Sequence, residues 1–484
     1  MAKNKFYITT AIPYINAKPH IGHAMEFIQA DIIARWHAMQ GDDVRFLSGT
    51  DDNSLKNVLS AEKMGIPIRE YVDTQAQAFM DLTKSLSMSN TDFIRTVDKR
   101  HIDGAIKLWN ACKKDIYKKS YVGEYCVGCE EFKREADLVD GCCPEHPNAK
   151  LQKIEEENYF FALSKYQAQI EQLIESDEYK ITPVARKNEV LAFIRGGLED
   201  FSVSRSKERA RGWGIPVPGD DSQVIYVWFD ALANYLTATG YAEETSDYKH
   251  YWPADLHVLG KGIIKFHAIY WPGILLSAGE KLPKSIFVHG YITVEGKKMS
   301  KSIGNVLDPL KIIDQYGLDP FRYVIIRNIP TWQDGDFSIK RFEETYNSDL
   351  ANGIGNLVNR VATMVDRYLD GSVSTGKKLS GIEIETYNER MVRLELSEAI
   401  SIIPEQLKII DRYIEETKPW ELAKFDKDKL KTVLGDMVVS ILEVNKMLYP
   451  VIPDTADKIS TILGGKKIGK IAPLFPRLDL PKSV

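Results

Sequence analysis

Within its first fifty residues the chain passes from a strand through a loop into a helix and out into a second strand, and this order restricts the fold more than any other feature. Lys5 to Thr10 is β-branched and aromatic, and a loop containing Pro13 follows it. Ile21, Met25, Ile28, Ile32, Trp36 and Met39 then recur at three- and four-residue spacing, and Gly41 stands where a helix C-cap glycine belongs. Val44 to Ser48 reads as the next strand. Two strands joined through a helix pair in parallel with a right-handed crossover, so the opening predicts half of a nucleotide-binding sheet.

The alternation fails between about 99 and 225, where a cysteine cluster, the acidic run Glu155-Glu156-Glu157 and a basic tract from Arg205 to Arg211 replace it. It returns with strands expected at Gln223 to Phe229, Leu256 to Leu259 and Ile286 to His289, and a helix over Ile263 to Ala278. After Asp349 the pattern is helical, with runs at 349–369, 383–416 and 430–448 and a loop from Gly371 to Gly381. At 484 residues the chain exceeds what a single core supports, and about three domains are expected. The fold class is therefore α/β: a Rossmann-type parallel sheet split by an insertion, followed by a C-terminal α-helical bundle.

With 44% apolar and 27% charged residues this is the composition of a soluble globular chain. The start has no signal-type apolar run, and no stretch approaches the ~18 apolar residues of a spanning helix, so a cytoplasmic protein is expected. A net charge of −5 argues against indiscriminate coating of nucleic acid, although a local basic face remains compatible with RNA. Five cysteines are too few for a disulfide scaffold, and all five lie from 112 to 143, four of them from 126 onward. Cys126-x2-Cys129 and Cys143-x2-His146 have the spacing of a zinc knuckle, each pair gripping one edge of a tetrahedron. Cys142 is the alternative to Cys143, and Cys112 reads as a core thiol. With all four positions filled by protein, one Zn2+ per chain would be structural.

Two further elements carry chemistry. His20-Ile21-Gly22-His23 sits at the turn into the first helix, where free backbone N–H groups and the helix dipole are expected to favour phosphate. Far downstream, Gly296-Lys297-Lys298-Met299-Ser300-Lys301-Ser302-Ile303-Gly304-Asn305 is a loop built to move and to grip anions. Together they resemble the HIGH and KMSKS signatures of the class I aminoacyl-tRNA synthetases, and the text from His289 to Glu295 is similar to the methionyl branch of that family.

The resemblance covers essentially the whole chain. It implies ATP-dependent activation of methionine to the adenylate and transfer to the 3′ end of initiator and elongator tRNA(Met). It assigns catalysis to His20, His23, Lys298 and Lys301, with ATP held by His20, Gly22, His23, Lys298, Ser300 and Lys301 and Mg2+ accompanying the phosphates. Methionine would lie among Ala11, Ile12, Tyr14, Asp51, Trp228, Ala231, Tyr235, Ile263 and His267. Asp51 would pair with the ammonium, and His267 or the Tyr14 hydroxyl would address the sulfur. Asn356, Arg360 and Trp420 would read the anticodon.

The resemblance implies catalytic halves at 1–98 and 226–292, a connective insertion with the knuckle at 99–225, a KMSKS and stem-contact region at 293–348, and an anticodon-binding domain at 349–484. Large editing domains do not fit an insertion of this size. Without a recognisable oligonucleotide-binding β-domain after the bundle, a monomer is expected. The chain departs from its relatives after Asp51, where Asp52-Asn53-Ser54 stands in place of the commoner Glu-His-Gly, and at Gly262, where an acidic residue is frequent.

Overall fold

The structure, a computed structural model, describes residues 3–128, 131–133, 135, 138–144, 150–298, 306–373 and 376–480, with Lys298 described by its backbone alone. The chain gathers into two compact units: Met1–Pro19 with Gln40–His289, and His20–Met39 with Gly290–Val484.

The first unit is built on a six-stranded sheet in the order Asp92–Arg95, Asp43–Thr50, Lys5–Thr10, Leu256–Gly260, Ser285–His289, Lys180–Thr182. Every neighbouring pair is parallel. The strand order reverses between Lys5–Thr10 and Leu256–Gly260, where Ile8 lies opposite Leu256. In open parallel sheets such a reversal leaves a crevice beyond the carboxyl ends of the two strands, the place where ligands bind. Close strand packing requires Gly49, since a Cβ there would lie 2.2 Å from the Ile94 carbonyl oxygen. Tyr7, Leu47, Phe229, Trp271 and Val288 belong to the buried core.

Two expectations are corrected in this unit, and a third feature, the basic tract, has a location that its sequence did not announce. The strand foreseen at Gln223 to Phe229 ends at Ile225, and Val227–Thr237 is a helix buried along its whole length. A short apolar run suits a buried strand and a buried helix equally, and only the continuation through Leu236 separates them. The segment 99–225 is not wholly separate from the parallel sheet, because Lys180–Thr182 forms its edge beside Ser285–His289. The remainder includes an antiparallel sheet in which Ile116–Cys126 pairs with Gln152–Phe161. Finally, part of the basic tract is internal. Arg205 is buried with its guanidinium 4.0 Å from the centre of the Tyr226 ring, and Arg209 lies 3.7 Å from that of Tyr125 and 2.9 Å from a Glu156 oxygen. Arg205 also donates to the Ser202 hydroxyl at 2.8 Å, and the carboxylate that Arg209 meets is itself only half-buried, so aromatic faces supply much of the surroundings of both.

The second unit combines the helix Ile21–Met39, a small sheet of Ile292–Val294, Lys297–Lys298 and Gly335–Phe337, and the helices that follow. The run expected over 383–416 is two helices, Glu385–Val392 and Leu396–Thr417, broken where Leu394 takes φ +60°. Asp31 on the first helix meets Arg322 at 2.7 Å with both side chains fully buried, and Trp36 donates to Asn388 at 3.1 Å. Among the described residues no helix is long and apolar enough to cross a membrane.

Candidate active site

The residues expected to surround methionine all belong to the first unit and follow from its sheet. Ala11 leaves the end of Lys5–Thr10, its N–H donating to the Val258 oxygen of the neighbouring strand at 3.0 Å. Ile12 is half-buried, and Tyr14 forms an isolated bridge to Asp51. Asp51 is 1% exposed. From the helix Val227–Thr237 come Trp228, Ala231 and Tyr235, all buried. The Tyr14 and Trp228 rings meet edge-on at 6.0 Å, and Lys56 Nζ lies 4.6 Å from the centre of the Tyr14 ring. Ile263 and His267 come from the helical segment after Leu256–Gly260.

His267 is committed on both nitrogens. Its Nδ1 lies 3.0 Å from the Ile263 carbonyl oxygen, which can only accept, so Nδ1 carries the hydrogen and Nε2 accepts from the Tyr235 hydroxyl at 2.8 Å. Burial pushes its pKa down to about 4, so the ring is neutral at neutral pH. Both ring nitrogens are thus engaged, and His267 orients the Tyr235 hydroxyl. Sequence reasoning missed Phe266, whose ring lies 3.6 Å from that of Trp228 and nearly parallel to it. Its spacing of three from Ile263 on an apolar helix was the available signal. The buried Trp228 Nε1 has no hydrogen-bond partner among the described residues.

The departures after Asp51 have structural accounts. Asp52 is fully buried and accepts from Thr50 at 2.9 Å and from Arg95 Nε at 3.0 Å. Burial dominates over these partners and raises its pKa to about 6. Ser54 caps the helix Leu55–Met64 by accepting from the Lys56 N–H.

His20, Gly22 and His23 open the helix Ile21–Met39 in the second unit. The expected free amides are taken: Ile21 N–H donates to the Leu307 oxygen, those of His23 and Ala24 to the His20 oxygen, and that of Gly22 to His20 Nδ1 at 3.1 Å. His20 thus caps its own helix through both its backbone oxygen and its ring. The two imidazoles stack at 3.9 Å, and His23 Nδ1 accepts from the His20 N–H at 3.1 Å. With both Nδ1 atoms accepting, each neutral ring carries its hydrogen on Nε2. Desolvation, with His20 alongside, holds His23 well below the ordinary imidazole range.

The backbone of Lys298 pairs with Thr293, while Ser300 and Lys301 lie outside the described residues. Asn356 is exposed at the start of the helix Asn356–Leu369, and Arg360, one turn on, bonds Glu415 at 2.6 Å with its guanidinium 6.0 Å from the centre of the half-buried Trp420 ring. Of the expected zinc ligands, Cys126 and Cys143 are both fully buried and Cys142 is partly exposed. Cys129 and His146 lie outside the described residues. No group of three or more metal-ligating side chains is present among the described residues.

A parallel sheet whose strand order reverses between Lys5–Thr10 and Leu256–Gly260, a His-Ile-Gly-His helix start and a Lys-Met-Ser-Lys-Ser segment define a class I aminoacyl-tRNA synthetase. The model of the family "tRNA synthetases class I (M)" matches residues 6–156 and 148–362. A methionine–tRNA ligase of Clostridium acetobutylicum is 41% identical, over 100% of this chain and 79% of its own length. One of Brucella suis is 39% identical, over 99% and 98% respectively. The methionyl-tRNA synthetase of Mycobacterium tuberculosis, solved in complex with methionyl-adenylate, superposes with a TM-score of 0.93 at 35% identity, covering 98% of this chain and all of that one. The chain belongs to the methionyl-tRNA synthetase family.

Proposed function

We propose that the chain activates L-methionine with ATP, releasing pyrophosphate, and transfers the methionyl group to the 3′ end of initiator and elongator tRNA(Met). The observation that carries this reading is the pairing of a buried carboxylate, Asp51, with an aromatic set of Tyr14, Trp228, Tyr235 and Phe266. A thioether is soft, unbranched and nearly apolar, and aromatic faces suit it. The unpartnered Trp228 N–H supports a ligand in this place, since a buried donor left unsatisfied costs free energy. Pyrophosphate exchange measured with each of the twenty amino acids tests the reading: only methionine should support rapid exchange.

The methionine carboxylate attacks the α-phosphorus of ATP, which enters as its Mg2+ complex, and the bond to pyrophosphate breaks. A carboxylate is already a nucleophile, so positioning and charge neutralisation are what the protein must provide. His20 and His23 are assigned to donate from Nε2 to the α-phosphate oxygens. Lys298 and Lys301 neutralise the leaving pyrophosphate, with Gly22 and Ser300 completing the nucleotide contacts.

Zinc is assigned to Cys126, Cys129, Cys143 and His146, and the structure of the two described cysteines fits that assignment. Cys126 ends a strand that turns back on itself, pairing with Glu131, and Cys143 follows a tight turn in which Val139 and Cys142 exchange both backbone hydrogen bonds. Thiolates at such turns, both buried, suit a soft cation, which would cross-link the knuckle without entering the reaction. Elemental analysis should find one zinc per chain. Cys126→Ser should lose it and unfold at lower temperature, while Cys142→Ser should keep it; a metal-free preparation with unchanged melting and activity would refute the role.

Anticodon reading is assigned to Asn356, Arg360 and Trp420, the pair Arg360 and Trp420 offering a stacking face beside hydrogen-bond donors. Because stacking is worth ~1–3 kcal/mol per base, Trp420→Ala should reduce tRNA charging about tenfold or more. Pyrophosphate exchange should be unchanged. Equal loss in the two assays would make Trp420 a packing residue. The protein is proposed to act as a monomer.

A further inference from the structure

The main chain of Asp51 is fixed on both sides: its N–H donates to the Pro13 oxygen at 2.9 Å, and its carbonyl accepts from the Asn57 amide at 2.9 Å. The carboxylate is steered by the Asn53 N–H, 3.1 Å from Oδ1. Any residue at 53 offers that N–H. What holds it in place is the Asn53 side chain, whose amide nitrogen donates to Asp230 Oδ2 at 2.7 Å and to the Thr96 oxygen at 3.2 Å. Asp230 is 1% exposed, and its other oxygen lies 2.5 Å from His101 Nε2. His101 is fully buried and is held in turn by Thr237 Oγ1, 2.9 Å from Nδ1. Asp230 and Thr237 lie on the helix Val227–Thr237, which also carries Trp228, Ala231 and Tyr235.

We propose that Asn53, clamped by Asp230 and His101, is a positioning residue that aims Asp51 and fixes its distance from the aromatic wall, so that ammonium and side chain are measured against one rigid frame. The Asp230 carboxylate is the joint: one oxygen serves the loop after Asp43–Thr50, and the other serves the core histidine that locks its helix. The inference rests on Asp51 being the ammonium anchor. Asn53 supplies at this position an N–H that an imidazole could also supply.

A double-mutant cycle in pyrophosphate exchange separates the possibilities. Asn53→Leu is expected to raise the Michaelis constant for methionine about tenfold, through the loss of a buried carboxylate's partner, with kcat within about threefold. In an Asp51→Asn background the same substitution should add less than about twofold, because coupled residues are non-additive. Asn53→His, whose ring N–H can reach Asp230, should recover most of the affinity lost in Asn53→Leu. A purely structural role would lower kcat and melting temperature together and would multiply independently of position 51. Should Asn53→Leu not fold, Thr237→Val, which removes the hydroxyl at His101 Nδ1, enters the cycle in its place. Independent multiplication, or an unchanged Michaelis constant in the folded variant, overturns the positioning role while leaving the anchor intact. An unchanged constant in Asp51→Asn itself overturns the anchor.

Discussion

Alanine at position 301 is expected to slow methionyl-adenylate formation roughly 100- to 1000-fold, the usual effect of removing one group that stabilises charge in a transition state. Lys301 belongs to the Lys-Met-Ser-Lys-Ser segment and is assigned to the pyrophosphate oxygens as they gain charge. An interaction that strengthens only as the leaving group departs raises kcat without tightening ground-state binding, so the methionine Michaelis constant should change less than about twofold. Single-turnover formation of the adenylate, followed beside equilibrium methionine binding, gives both quantities. Parallel losses in rate and binding would remove Lys301 from the chemistry and make it a general ligand-binding cation. Lys301→Arg keeps the charge but spreads it over a planar fork, and it should recover only part of the rate.

The second large effect is expected in binding. Asp51→Asn removes the negative charge from a site that is 1% exposed, leaving a methionine ammonium desolvated with no counter-charge. Breaking a buried pair on one side costs ~3–5 kcal/mol, so the methionine Michaelis constant should rise about 100-fold or more. Because the substitution is nearly isosteric and the backbone of Asp51 is held by Pro13 and Asn57, the fold should persist. Exchange at the parental Michaelis constant would rule Asp51 out as the anchor. Trp228→Ala, by contrast, opens the side-chain wall and should relax the choice among unbranched amino acids.

How much of this was legible in the sequence depends on the distance over which each feature is decided. The strand at Lys5–Thr10 and the helix at Ile21–Met39 are local: periodicity and a terminal glycine with φ +92° at Gly41 suffice. The helix Val227–Thr237 was mistaken at its start for a strand, because the six apolar residues in a row from Val224 to Phe229 carry no period. The burial of Arg205 was not legible, because nothing local announces the Tyr226 ring beneath it. The nine proposed methionine contacts came from family resemblance. The contacts that order them did not, since His101 and Asp230 lie far apart in the chain and meet only after folding. The capping of the first helix by His20 was likewise hidden: sequence shows where amides should be free, and only coordinates show that Leu307 and the histidine have already occupied them.

The helix that begins the second unit is made long before the rest of that unit. Asp31, buried in it, waits for Arg322, which leaves the ribosome about 290 residues later. At ordinary synthesis rates this is a delay on the order of tens of seconds, during which a carboxylate meant for a dry interior has Arg35, one turn away on its own helix, but not the buried guanidinium of Arg322. The unit therefore cannot mature as an independent C-terminal module. A fragment beginning at Gly290 would carry Arg322 with its carboxylate missing and Asn388 without Trp36. Supplying residues 20–39 as a separate peptide should restore what the fragment lacks, which makes this helix a natural point at which the nascent chain ties its two ends into one cooperative body.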